Sequence, residues 1–99
     1  MGKPKNYWYG IAKSMIYRYP DIKNDDSLQC KQYTQAIEEA LKGLERYENG
    51  EQRKEAIDLL YFKNTHTYEG VAQRFNYNWR TIQDWSREFI NEVGRNVGF

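Results

Sequence analysis

At 99 residues, with 15 Lys and Arg against 14 Asp and Glu and a formal net charge of +1, the chain has room for one small domain or one domain with an arm, and it cannot hold nucleic acid by bulk charge alone. Aromatic residues make up 16% of it, which argues against disorder. The absence of an apolar run of about 18 residues and of a signal-peptide core argues against membrane contact, and the single cysteine, Cys30, rules out an internal disulfide and fits a reducing cytoplasm.

The charge is uneven: residues 1–20 carry +4 and no acid, residues 21–51 carry −4, and residues 52–99 carry +1. An acidic middle and a basic N-terminus suggest surfaces with different partners. Residues 1–6 read as a short polar lead broken by Pro4. A first helix is predicted over about residues 7–18, with Trp8, Ile11, Ala12, Met15 and Tyr19 on one side and Pro20 as the stop. After a polar loop to Asp26, a second helix is predicted over about residues 27–48, capped by Asp26 with Gln29 completing a reciprocal pair. Its stripe is Leu28, Tyr33, Ile37, Leu41 and Leu44, flanked by Ala36 and Ala40, and at roughly 20 residues it reads as the longest helix. Its other face, with Glu38, Glu39, Lys42, Glu45, Arg46 and Glu48, is either simply solvated, or an acidic contact surface, or a seam with a second copy in a homodimer.

Asn49-Gly50 stops that helix, and a third is predicted over about residues 51–62, where Ala56, Ile57, Leu60 and Tyr61 share a face widened by Leu59 and Phe62. The stretch Thr67–Phe89 then reads as two short helices joined by a tight turn. Thr67 caps the first, Asn76-Tyr77 makes the turn because Asn tolerates a left-handed backbone, and Asn78 caps the second, from Trp79 to about Ile90. Val71 and Phe75 share one face; Ile82, Trp85 and Phe89 share another; Ala72 is small where the helices must meet, and Tyr77 is a plug between them. These positions together reproduce the pattern of a helix-turn-helix, with a plain packing hairpin as the alternative. Residues 93–99 (VGRNVGF) read as a short tail that folds back through Val97 and Phe99.

Residues 51–93, with a helix ending in LLYFKN followed by THTYEGVAQRFNYNWRTIQDW, resemble region 4 of bacterial sigma-70-type factors. The whole chain, with its first helix ending in RYP and the long acidic helix, resembles the phage late-gene transcription regulators of the ArpU/RinA type. That resemblance implies an all-α fold of about five helices, with an N-terminal helical region at 1–50 and a DNA-binding region at 51–99. It also implies a sequence-specific regulator of phage or prophage late genes that binds double-stranded DNA in the host bacterial cytoplasm and acts through host RNA polymerase. Gly70, inside the first helix of the motif, departs from the usual pattern and costs about 1 kcal/mol against Ala.

The outer face of helix 79–90 supplies the candidate DNA contacts. Arg80 can make a bidentate contact to guanine and Gln83 to adenine; Asn78 and Thr81 can reach a base edge or a phosphate. Asp84 can accept from cytosine or orient Arg80 or Arg87 by a local ion pair, and Arg87 completes the outer face. Trp79 either presses on a thymine methyl or packs in the core. Thr67 and Tyr68 open a helix whose free N–H groups suit a phosphate, with Arg74, Lys63 and His66 as further phosphate candidates. One His and one Cys far apart do not make a metal site, and no phosphate-cradling glycine loop or spaced carboxylate pair points to catalysis or to a cofactor. Two alternatives stay open: a phage small terminase subunit or other assembly protein, for which the motif sits at the wrong end, and an interaction module that grips RNA polymerase without reading DNA.

Overall fold

Apolar residues at helical spacing fold residues 7–99, the span that the computed structural model describes, into five α-helices. The polar lead read at residues 1–6 lies outside the described residues. The helices are α1 (Tyr7–Ile22), α2 (Leu28–Gly43), α3 (Gly50–Ile57), α4 (Tyr68–Phe75) and α5 (Trp79–Val97), and no strand occurs among the described residues. A 3₁₀ turn, Leu44–Arg46, follows α2.

Helix α2 ends at Gly43 rather than near residue 48, giving way to that 3₁₀ turn, and four further boundaries differ from the sequence expectation, each for a stated reason. Helix α1 does not stop at Pro20 but runs to Ile22, with the Lys23 N–H donating to the Tyr19 carbonyl at 3.0 Å. Proline inside a helix costs about 3 kcal/mol. Burial of Ile22, 2% exposed beside Met15 and Tyr33, contributes a stabilisation of similar size, about 1.5–3 kcal/mol. The cap of α2 is Ser27, not Asp26. The Ser27 hydroxyl accepts from the Cys30 N–H at 3.3 Å, and Asp25 rather than Asp26 supports it by accepting the Ser27 N–H at 2.8 Å. Helix α3 passes into a wider π-type turn, Asp58–Phe62, in which the Lys63 N–H reaches back five residues to the Asp58 carbonyl. That widening buries Leu59, Leu60 and Tyr61 in succession.

The fourth difference is the largest. The predicted tail is the last part of α5, which at 19 residues, against 16 in α2, is the longest helix. Gly94 is buried there with the Trp8 ring laid against its bare Cα, and a Cβ at this position would overlap that ring. Gly98, at φ 105°, ends the helix: its N–H donates to the Arg95 carbonyl at 3.1 Å and the Phe99 N–H to the Gly94 carbonyl at 2.9 Å. Phe99 stacks on Trp8 with ring centroids 5.9 Å apart, so the terminal residues do return to the core, but by completing a helix.

The core is continuous across residue 50. Ala12 and Ile16 of α1 and Ala36, Ile37 and Ala40 of α2 join Ala56, Ile57, Val71, Ala72, Ile82, Trp85, Phe89, Ile90 and Val93 in one cluster. Two residues of the expected stripes face outward instead, Ile11 at 45% and Leu28 at 74% exposure, while Ile16, absent from the expected stripe, is fully buried.

Candidate nucleic-acid interface

The unit formed by α4, its turn and α5 is built by local chemistry. The Thr67 hydroxyl accepts from the Gly70 N–H at 3.1 Å and starts α4. Asn76 stands at φ 63°, ψ 43°, and the Tyr77 N–H donates back to the Ala72 carbonyl at 2.9 Å, closing the helix end. The Asn78 side chain accepts from the Arg80 N–H at 2.9 Å and starts α5. Tyr77 bridges the unit as the expected plug, edge-on to Trp85 at 5.1 Å, and its hydroxyl donates to Gln52 of α3 at 2.9 Å.

On α5, Ile82, Trp85 and Phe89 are buried, as is Ser86. The opposite side carries the predicted contact residues. Asn78, Trp79, Arg80, Asp84 and Arg87 are exposed, and Thr81 and Gln83 are half-buried. Trp79 is 41% exposed, so it is not a core residue; the Arg80 guanidinium lies 5.5 Å from its ring centroid. Trp79 also faces the first turn of α4 across a trench of about 300 Å³ lined by Thr67, Tyr68 and Glu69. The N-terminal ends of both helices therefore open onto the same side.

Arg87 lies apart from Arg80, beside Tyr9 of α1. Burial raises the Tyr9 phenol pKa, and so does the nearby Tyr68, while the Arg87 guanidinium acts the other way. Asp84 makes no ion pair with Arg80 or Arg87 among the described residues. Two further phosphate candidates are held elsewhere: Lys63 pairs with Asp58 at 3.2 Å and Arg74 with Glu55 at 2.7 Å. His66 shares a hydrogen bond between Nδ1 and the Thr65 hydroxyl at 2.9 Å.

Sequence reasoning missed Arg53. Its guanidinium sits 3.9 Å from the Tyr47 ring centroid and 5.2 Å from that of Trp85, donates to Asn49 at 3.0 Å and pairs with Glu88 at 2.9 Å. It therefore buttresses α5 from behind. No spacing pattern marks such a residue, because its partners come from two segments far apart in the chain, Tyr47 with Asn49 and Trp85 with Glu88.

Among the described residues, no group of three or more His, Cys, Asp and Glu side chains could hold a metal ion, and no helix is long and apolar enough to cross a membrane. Fold and geometry define a small all-α protein that presents the capped N-terminal ends of α4 and α5 on one side. No family model, curated protein or solved structure matches the chain.

Proposed function

We propose that this protein is a sequence-specific DNA-binding transcription regulator of phage or prophage late genes, using α4 and α5 as a sigma-70 region 4-like helix-turn-helix. One observation carries the reading. Three contacts that tie α1 and α2 to α5 fall at Arg87 and beyond: Tyr9 beside Arg87, Trp8 against Gly94, and Ala36, whose carbonyl accepts from Asn96 at 3.1 Å. The polar N-terminal turns of α5 are left exposed on a helix whose other side is anchored by Ile82, Trp85 and Phe89. In this docking mode the N-terminal residues of such a helix meet base edges in the major groove.

The roles follow from side-chain chemistry. Arg80 offers paired donors to guanine O6 and N7, and Gln83 matches adenine. Asp84 accepts from cytosine N4, Asn78 and Thr81 reach a base or a phosphate, and Trp79 covers a thymine methyl or a sugar. Thr67 and Tyr68 put the first N–H groups of α4 against the backbone. Host RNA polymerase is the second partner of the proposal.

Selection of bound sequences from a random duplex pool, followed by anisotropy titration, tests this. Arg80→Ala is expected to cost about 1–3 kcal/mol in specific binding while the far-ultraviolet spectrum stays unchanged. Unchanged affinity for the selected site would remove Arg80 from the reading. The net charge of +1 favours a second reading, an interaction module that contacts RNA polymerase without DNA. A DNA reader loses affinity steeply with salt, whereas that module has no duplex affinity to lose.

A further inference from the structure

We propose that α1 is a second DNA-contacting element, in which Lys13, facing Asn64 and His66 across a cleft, holds the phosphate backbone beside the groove that α5 enters. The proposal rests on the DNA-binding reading above and extends it to a helix outside the two-helix unit.

The cleft, about 360 Å³, lies between α1 and the segment leading into α4, with Lys13 and Tyr17 on one side and Asn64, His66, Thr67 and Tyr68 on the other. Thr67 and Tyr68 also line the trench that ends at Trp79. One unbroken surface therefore runs from α1, over the start of α4, to the tip of α5. Arg87, beside Tyr9, closes the same path along α5. At 1.5 Å per residue Arg87 lies about 10 Å along the helix from Arg80, close to the roughly 12 Å width of the major groove. A helix docked there places α1 over the bordering strand.

The chemistry along this surface is that of a phosphate cradle. Lys13 makes no ion pair among the described residues. No acid occurs in α1 from Tyr7 to Pro20. Asn64 and Tyr17 are exposed and can donate, and the N–H groups of Tyr68 and Glu69 precede the first intrahelical bond of α4. Two acids lie along this path, Glu69 at the trench and Asp84 on the outer face of α5, and neither lines the cleft. The acids of the chain gather instead on α2 and the segment after it, including Glu38, Glu39, Glu45 and Glu48, all exposed. The molecule thus turns a donor-rich side toward the path marked by α5 and an acidic side elsewhere, which fits a polyanion on the first.

The test uses the full chain, a labelled duplex recovered by selection and an unrelated duplex of equal length, titrated over a salt series. Lys13→Gln is expected to weaken both duplexes by the same factor, about two- to fivefold, the scale of an exposed ion pair. It should also lower the slope of log affinity against log salt by about one. Lys13→Arg should retain both, and Arg80→Ala should lose the preference for the selected duplex alone. Trimming base pairs from one flank should erase the difference between Lys13→Gln and the parent. Equal affinity and equal slope for a folded Lys13→Gln, with Arg80→Ala still impaired, would overturn the role of α1 and leave the DNA reading standing. Loss confined to the selected duplex would make Lys13 a base contact and overturn the backbone role. Failure of the parent protein to bind any duplex would overturn both.

Discussion

Ser86 is the buried polar residue of the core among the described residues, 1% exposed on the inner side of α5, and its hydroxyl is hydrogen-bonded to that of Tyr61. Burial pushes the Tyr61 phenol pKa up, and the bond to Ser86 opposes that shift. Ser86→Ala would leave the Tyr61 hydroxyl buried without this partner, at an expected cost of about 1–3 kcal/mol in urea unfolding. Adding Tyr61→Phe to Ser86→Ala should recover part of the loss; a double variant as unstable as the sum of the two single ones would show that the bond is not the cause. Tyr19 makes a pH prediction. Burial, then its hydrogen bond to Glu38 at 2.9 Å and the charge of that carboxylate, push its pKa from 10.0 to about 12. The folded state therefore favours the neutral phenol. Its contribution is fully present below pH 10.0 and is lost as pH rises toward about 12. Urea midpoints measured across that window should fall, and Tyr19→Phe should make the fall shallower.

At the scale of elements, the same substitution at two glycines should act in opposite directions. Gly70 lies inside α4, and a Cβ there would meet only Thr67 Oγ1 at 3.5 Å and His66 at 3.6 Å, ordinary contact distances. Gly70→Ala should therefore stabilise the protein by about 0.5–1 kcal/mol through helix propensity. Gly94→Ala gains the same propensity but drives a methyl into the Trp8 ring, and should destabilise by about 1–3 kcal/mol as α1 is forced off α5. Thermal melts of the two variants decide this by sign; stabilisation at both positions would mean that Trp8 moves aside freely. The first effect could be read from the sequence, since a glycine within a capped, periodic segment is recognisable there. The second could not, because Trp8 and Gly94 stand at opposite ends of the chain.

At the scale of the molecule, α1 and α2 are part of the same core as the two-helix unit rather than an appendage to it. Phe89, Ile90 and Val93 of α5 belong to that cluster, and Val97 packs against both it and the Met15, Ile22 and Tyr33 group. Uncovering such side chains costs about 1.5–3 kcal/mol each, which approaches the 5–15 kcal/mol that stabilises a whole domain. Residues 51–99 expressed alone are therefore expected to lack cooperative unfolding by circular dichroism, while the full chain unfolds in one transition. A fragment that melts as sharply as the full chain would show that the N-terminal helices only decorate the unit.

The sequence by itself determined the all-α class, the caps at Thr67 and Asn78, the left-handed Asn76 and the apolar faces of α4 and α5. Each of these depends on residues within about one helical turn of one another, so composition and spacing record them directly. Only the tertiary structure decided that α1 passes Pro20, that α5 runs on to Val97, that Ile11 and Leu28 face outward, and that Trp79 stays outside the core. Those outcomes turn on which distant surface covers a residue. Burial against a remote helix outweighs local propensity, and a linear pattern of residue types does not encode that pairing.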